Sequence, residues 1–309
     1  EYMFKRVGLF LIVNVLMMIV INVVFTIVVQ VFDLGPMMTG SGVNYTSLMA
    51  MCLVWGMGGS FVSLFISKWM AKKMMGVKIV DRNSQYAQLV QTIHHLSKSA
   101  GIDKMPEVGV YESSEINAFA TGASKNSSLV AVSTGLLQQM NQDERDGVLA
   151  HEVAHIANGD MVTMALIQGI VNAFVYFFAW IATAAIENAL SGDDDEGRGG
   201  LGYFASYFIR SFFITIFGIL ALPIVNWFSR WREYRADAGS AKIGGREKMI
   251  SALEALKRNY ELLEPKGSRI PTDSRVKAMQ ISSKRSFNEL FSTHPTLDKR
   301  INALREMQG

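Results

Sequence analysis

The sequence predicts an α-helical membrane protein with four transmembrane helices and an α+β domain on the cytoplasmic side. The chain of 309 residues is 50% hydrophobic and only 18% charged, and its mean hydropathy is +0.20. These values lie between those of soluble enzymes and polytopic membrane proteins. Four nearly uncharged stretches are long enough to cross a hydrocarbon layer about 30 Å thick.

The four stretches form two hairpins in the sequence. Residues 1–76 contain spans at about 7–32 and 45–67, and residues 161–228 contain spans at about 161–186 and 203–228. The remaining segments, 77–160 and 229–309, are together long enough for one soluble domain built from two halves. Within that domain the sequence patterns predict these elements: helices at 86–98, 141–157, 246–259 and 298–306, and strands at 108–111 and 129–133.

The charges beside the spans predict the orientation of the chain. Basic residues flank the spans on one side: Lys5, Arg6, Lys68, Lys72, Lys73, Lys78, Arg230, Arg232 and Arg235. The two short connections on the other side carry Asp33 in one case and the acidic run 193–196 with a single Arg198 in the other. Because positive charges are retained in the cytoplasm, both termini and the soluble domain are expected there.

The charge argues against nucleic-acid binding, and the cysteine content excludes disulfides and thiolate metal sites. The formal net charge is only +3, and the basic residues form no cluster interleaved with aromatic residues. Nucleic-acid binding therefore has little support. Cys52 is the single cysteine, so the chain has no internal disulfide and no thiolate metal cage. His, Asp and Glu are left as the expected metal ligands.

A metal-binding pattern lies in the helix expected at 141–157. Residues 151–155 read HEVAH. Side chains four residues apart project from one helix face, so His151 and His155 can bind one zinc ion. Glu152 follows the first histidine and can approach a water at that ion. The spacing is typical of metal-dependent hydrolysis.

The third zinc ligand is not fixed by this pattern. A catalytic zinc takes three protein ligands and one water, but Asn158 and Met161 occupy the positions where a metzincin has Gly and His. The remaining candidates are the other histidines and a carboxylate after the fourth span: His94, His95, His294 and Glu233.

Glu233 has a possible partner one helical turn later. On a helix Glu233 and Asp237 share a face, so Glu233 can bind the zinc while Asp237 accepts a hydrogen bond from a ligand histidine. An exposed acidic pair beside Arg232 and Arg235 explains the same residues equally well.

Four motifs give the chain a resemblance to the HtpX family. They are Asn-Ala-Phe-Ala-Thr-Gly at 117–122, HEVAHIANGD at 151–160, Glu-Tyr-Arg-Ala-Asp at 233–237 and His-Pro at 294–295. They occur in the family's order, and the resemblance covers nearly the whole chain, four spans included. HtpX proteins are heat-shock-associated membrane zinc endopeptidases of bacteria, related to the CAAX prenyl endopeptidases.

The resemblance implies a fold, a location and a task. It implies a gluzincin-like protease domain with one Zn²⁺ per chain, close to the cytoplasmic face of the bacterial inner membrane. The expected substrates are misfolded membrane proteins or peptides, handled at the lipid bilayer as part of a stress response. The resemblance further implies functional overlap with other membrane quality-control proteases.

The resemblance also assigns roles at the site. It implies Glu233 as the third zinc ligand and Asp237 as the partner of a ligand histidine. Glu152, which can approach the metal-bound water, is the expected general base. His294 is the candidate donor to the negative charge that develops on the scissile carbonyl oxygen. Arg300 is a weaker candidate for orienting the site. A turn before the last helix is the structural alternative for His294.

Substrate binding is expected along a strand before the metal-binding helix. Residues 128–133 alternate in polarity as an edge strand does, so Ser128, Val130 and Val132 are expected to border an extended peptide. Asn117 and Ala118 are candidates for the other side of the peptide. A tight turn explains those two residues as well.

Three other functions compete with this hypothesis. A nonenzymatic membrane scaffold with a structural zinc is disfavoured by Glu152 and an open coordination position, because structural sites are closed. A protease for prenylated targets is disfavoured by the small number of spans. An intramembrane protease is disfavoured by the charged run 143–146, which would be costly in hydrocarbon.

Overall fold

The structure is a computed structural model that describes residues 45–190, 203–263 and 294–307. The span expected at 7–32 and the acidic connection at 193–196 lie outside these residues. The described chain divides into two compact units, and the larger one contains residues 52–176 and 214–309. The sheet and every candidate site residue belong to this larger unit.

Helices dominate the described chain. They are α1 (Tyr45–Met74), α2 (Ala87–Ser99), α3 (Thr134–Gln139), α4 (Gln142–Asn158), α5 (Asp160–Leu190), α6 (Tyr203–Ser240), α7 (Arg246–Leu263) and α8 (Leu297–Glu306). A π-helical turn, Ala241–Gly245, joins α6 to α7. The strands are β1 (Lys78–Val80), β2 (Glu107–Tyr111), β3 (Ala118–Ser124) and β4 (Ser127–Ser133).

Three helical stretches of the described residues are long and apolar enough to cross a membrane. They are Leu48–Met74, Asp160–Leu190 and Phe204–Asn259. The first two agree with the spans expected at 45–67 and 161–186. The third continues well beyond the expected end at 228, because α6 runs without a break to Ser240 and leads through the π turn into α7.

The four strands form one mixed sheet in the order β1-β2-β4-β3. β2 and β4 are parallel, and each pairs antiparallel with an outer strand. Both strands predicted from the sequence are present, as β2 and β4. The two outer strands, β1 and β3, were not predicted.

The main core lies between one face of the sheet and the helices α2, α4 and α7. Valines of the two central strands pack there against α4, and Val130, Val132 and Val153 are fully buried. The opposite face packs Tyr111, Leu129 and Ala131 against Ala71, near the end of α1. The sheet is therefore covered on both faces and holds α4 in a fixed position.

Candidate metal centre

The helix α4 has strong signals at both ends. The Asn141 side chain accepts a hydrogen bond from the Glu144 backbone N–H, and the Glu144 carboxylate accepts one from the Asn141 N–H, each at 3.0 Å. This is the capping box that the sequence predicts. At the other end Gly159 has φ 69°, a left-handed conformation that favours glycine and ends the helix.

α4 brings the two motif histidines together. His151 and His155 lie one turn apart on the same face, and their Nε2 atoms are 3.1 Å apart. Both side chains are largely buried, with 9% and 12% of their surfaces exposed. Two imidazole nitrogens at this distance can bind the same metal ion.

The long helix α6 supplies a carboxylate to the same location. Glu233 is 2% exposed, and its Oε2 and Oε1 atoms each lie 3.4 Å from the Nε2 atoms of His151 and His155, respectively. One ligand atom from each of these residues lies within 4.8 Å of the others.

These separations fit a tetrahedral metal ion. With zinc–ligand bonds of about 2.0–2.1 Å, two ligands of a tetrahedron are about 3.3 Å apart. The observed distances of 3.1 and 3.4 Å are close to that value. The donor set of two imidazoles and one carboxylate is the one that catalytic zinc sites use.

Each histidine also meets a carboxylate at its outer nitrogen. The Nδ1 atom of His151 lies 3.0 Å from Asp237 Oδ1, and that of His155 lies 2.7 Å from Asp160 Oδ2. The Asp237 contact has the geometry expected from the sequence. The Asp160 contact was not predicted. The sequence does show an acidic residue directly after the Gly159 helix stop, and this position could have indicated a partner for His155.

Asp160 and Glu233 both act on the protonation of His155. Burial alone lowers the pKa of this imidazole, but hydrogen bonding with the two carboxylates outweighs burial and raises the pKa to about 9. A metal ion that binds there displaces a proton from the imidazole.

Arg300 of α8 holds Asp237 from the other side. Its Nε and Nη2 atoms donate to the two carboxylate oxygens of Asp237 at 2.8 and 2.6 Å, and its Nη1 atom lies 3.5 Å from Glu233. Burial lowers the pKa of the guanidinium, but the Asp237 carboxylate outweighs that effect and raises the pKa. This paired geometry supports the orienting role for which Arg300 is a candidate.

His294 lies beside the carboxylate ligand. Its Nδ1 atom is 3.1 Å from Glu233 Oε2, while 59% of the side chain is exposed. His94 and His95 lie on α2 away from this centre, and His94 Nε2 lies 3.2 Å from the Pro106 carbonyl oxygen. Of the alternatives left open by the sequence, the structure brings Glu233 to the two motif histidines and His294 to Glu233.

Glu152 is only partly buried. Its charge reaches His155, Arg300 and Tyr111. Burial, followed by the carboxylates of Glu115 and Glu152, raises the pKa of Tyr111. Tyr111 therefore lies in the same neighbourhood as the motif carboxylate, a position that the sequence did not indicate.

The prediction that residues 128–133 form an edge strand is wrong. β4 is a central strand, because its backbone pairs with β2 on one side and β3 on the other. Ser128, Val130 and Val132 are therefore buried and have no free edge for a peptide. Alternation of polarity does not separate an edge strand from a central strand whose two faces are both covered.

The outer strand next to α4 is β3, which begins at Ala118. The preceding residue, Asn117, is anchored by its backbone: its N–H donates to Ser133 Oγ at 3.1 Å and its carbonyl accepts from the Ser133 N–H at 2.9 Å. The Asn117 side chain is exposed. The edge strand and this amide are thus adjacent in the chain.

Comparisons with known proteins agree with this geometry. Residues 83–308 match the model of peptidase family M48. The chain is 46% identical over 308 residues to Protease HtpX of Acinetobacter baumannii (strain AYE), covering 98% of both chains. It is 49% identical to Protease HtpX of Aeromonas hydrophila, with 97% of this chain and 99% of that protein covered.

A solved structure shows the same fold. The crystal structure of S. mikatae Ste24p superposes with a TM-score of 0.58 at 17% sequence identity, covering 96% of this chain and 66% of that chain. The match to the family model and the near full-length identity to the HtpX proteins agree with the histidine and glutamate cluster described above. The chain therefore belongs to peptidase family M48, as a multi-pass membrane metalloendopeptidase of the HtpX type.

Proposed function

We propose that this protein is a zinc endopeptidase that hydrolyses misfolded or damaged membrane proteins on the cytoplasmic side of the bacterial inner membrane. The observation that carries the proposal is the buried cluster of His151, His155 and Glu233, whose ligand atoms lie within 4.8 Å of one another. Two of the helices that form this cluster and its surroundings, α5 and α6, are long and apolar enough to cross a membrane.

The chemistry follows from the donor set. Zinc held by the three residues would supply a Lewis acid for the scissile carbonyl and for the attacking water. Glu152 accepts the proton of that water and passes it to the leaving amine. Its place beside His151, partly exposed, supports this role because a general base needs access to both water and substrate.

His294 is the donor proposed for the negative charge on the carbonyl oxygen. Its ring lies beside Glu233 with more than half of the side chain exposed, so it borders the space that a substrate would enter. Arg300 keeps Asp237, and through it His151, in a fixed orientation.

An extended peptide is proposed to bind along β3. The strand is at the edge of the sheet and packs against the main core that contains α4, so a peptide added there would pass close to the metal-binding helix. Ala118 begins this strand, and the exposed side chain of Asn117, beside the Tyr111 hydroxyl, is proposed to border the peptide.

The membrane sets the class of substrate. Asp160, which contacts His155, is the first residue of α5, and Glu233 is five positions past the expected span end at 228. With the span end that the sequence predicts at 228, and at about 1.5 Å per residue, the centre would lie within about 8 Å of the membrane along α6. Unfolded segments close to the bilayer are thus the accessible peptides, which supports quality control shared with other membrane proteases.

Glu152→Gln tests the proposal. Full-length protein in detergent is analysed for zinc content and for cleavage of casein or an unfolded membrane protein, with chelation and zinc addition. We expect about one zinc per chain in both proteins and cleavage only by the wild type, reduced by several orders of magnitude in the variant. Cleavage that survives Glu152→Gln, or zinc in both proteins with no cleavage by either, would contradict the proposal.

A further inference from the structure

Asp160 is a buried carboxylate that contacts the ring of His155. It is 2% exposed, and its Oδ2 atom lies 2.7 Å from His155 Nδ1. In the described part of the chain no other hydrogen bond or ion pair of this carboxylate is found. Burial of a carboxylate destabilises the folded protein unless the carboxylate is paired. The contact with His155 is therefore what makes a buried carboxylate tolerable at this position.

The backbone between the two residues makes the contact possible. In an uninterrupted helix, residue 160 would lie about 140° around the axis from residue 155, because each residue turns by about 100°. Gly159, with φ 69°, ends α4, and α5 starts at the next residue. The left-handed turn thereby brings the first carboxylate of a candidate membrane helix to the outer nitrogen of His155.

We propose that Asp160 is a positioning residue of the metal centre: it accepts the Nδ1 hydrogen of His155 and so holds the ring with Nε2 aimed at the shared metal position. A carboxylate in this place fixes both the tautomer and the ring orientation of a ligand histidine. The inference rests on the metal centre proposed above.

The two ligand histidines are then held by different helices. Asp237 of α6 meets His151 at 3.0 Å, and Asp160 of α5 meets His155 at 2.7 Å. Arg300 supports Asp237 through two hydrogen bonds. Asp160 instead lies in the first turn of α5, where the helix dipole favours a negative charge.

Metal affinity tests the inference without measuring peptide cleavage. Zinc binding of the full-length protein in detergent is measured by competition with a chromophoric chelator, and Co²⁺ absorption reports the ligand geometry. We expect Asp160→Ala to weaken zinc binding 10–100-fold and to change the cobalt spectrum. Asp160→Asn, whose amide oxygen still accepts the Nδ1 hydrogen, should recover most of the affinity.

Thr163→Ala is the matched control. Thr163 lies in the same turn and donates to the Gly159 carbonyl at 3.2 Å, and within the described residues no hydrogen bond joins it to His155, so its removal should leave zinc affinity unchanged. If Asp160→Ala does not fold, Asp160→Ser replaces it, because serine suits a helix start but is too short to reach the imidazole.

The outcomes separate the inference from the proposed function. Wild-type zinc affinity and an unchanged cobalt spectrum in Asp160→Ala or Asp160→Ser would overturn the inference alone. A weakened affinity in Thr163→Ala equal to that of Asp160→Ala would overturn it as well, since the cause would be the start of α5. Wild-type protein that binds no zinc would overturn both.

Discussion

Glu152 and Glu233 carry the same functional group, but burial suits them to different tasks. Glu233 is 2% exposed and lies within 3.4 Å of the nitrogens of both motif histidines. A carboxylate so enclosed is stable only with cations around it, which is the condition of a metal ligand. Glu152 is partly exposed, which is the condition of a base that exchanges protons with water and substrate.

Arg300 allows a prediction at the scale of one residue. Arg300→Lys keeps the charge but cannot donate two parallel hydrogen bonds to Asp237. We expect the free energy of unfolding to fall by about 1–3 kcal/mol and zinc affinity to fall because Asp237 is less firmly held. Chemical unfolding of the metal-free protein and chelator competition measure the two effects.

Arg305→Lys is the control for that prediction. Arg305 lies on the same helix, α8, where it pairs with Glu254 on the surface with 58% of its side chain exposed. Surface pairs contribute little, so this variant should behave as the wild type. Equal losses in both variants would show that α8 itself, and not the Asp237 contact, had been disturbed.

Short-range patterns in the sequence predicted part of the centre. The spacing of four between His151 and His155 is local, and it alone placed two ligands on one face. Glu233 joined them through the family resemblance, because no spacing rule connects residues more than 75 positions apart. Asp160 was missed because its contact depends on the left-handed conformation of Gly159. Helical periodicity alone would place Asp160 on a different face from His155.

Between elements, close packing of small residues sets the distance from α4 to α6 and α7. A Cβ atom on Gly239 of α6 would lie 3.0 Å from Ala154 Cβ, and one on Gly244 would lie 2.5 Å from Ala150 Cβ. Gly147 of α4 packs directly on the Lys248 carbonyl oxygen of α7. Since α4 carries His151 and α6 carries Glu233, the small residues at these contacts influence how well the ligands meet.

Gly147→Ala is expected to disturb the centre through this packing. The added methyl group would overlap the Lys248 backbone, which cannot move aside as a side chain would. We expect a loss of about 1–3 kcal/mol in stability and weaker zinc binding, measured by unfolding and by chelator competition.

Gly218→Ala on α6 serves as the comparison. A Cβ atom at Gly218 meets nothing within 4 Å, and alanine favours helix more than glycine does. Stability and zinc binding should therefore be at least those of the wild type. Unchanged zinc affinity in Gly147→Ala would show that the ligands tolerate a shift of α4.

The elements were predicted where their signals are local. The capping pattern at Asn141 and Glu144 and the glycine after α4 gave both ends of the metal-binding helix. Strand order is a non-local property, so the central position of β4 could not be read from its own residues. β3 escaped detection because its first residues, Ala118 to Gly122, are mostly small and do not alternate in polarity.

At the scale of the whole molecule, the membrane and the reaction share the same helices. Asp160 begins α5 and contacts one ligand histidine, and α6 carries Glu233 and Asp237 without a break after its apolar part. The site therefore contains residues of two helices, α5 and α6, that are each long enough to span a bilayer. The basic residues near these helix ends favour a cytoplasmic position of the site.

Cysteine labelling can test that orientation because the chain contains one cysteine. Cys52 is 2% exposed, and Cys52→Ala provides an unlabelled background. Gln138→Cys and Asn302→Cys place thiols on exposed positions in the two halves of the domain, and Gly199→Cys places one in the connection before α6. In spheroplasts, a membrane-impermeant maleimide should label only the last of these, and the first two should react after the membrane is permeabilised. Labelling of Gln138→Cys in intact spheroplasts, with Gly199→Cys protected, would place the metal centre on the opposite side of the membrane. Cytoplasmic substrates would then be excluded, and the positive charges beside the spans would not determine the orientation of this chain.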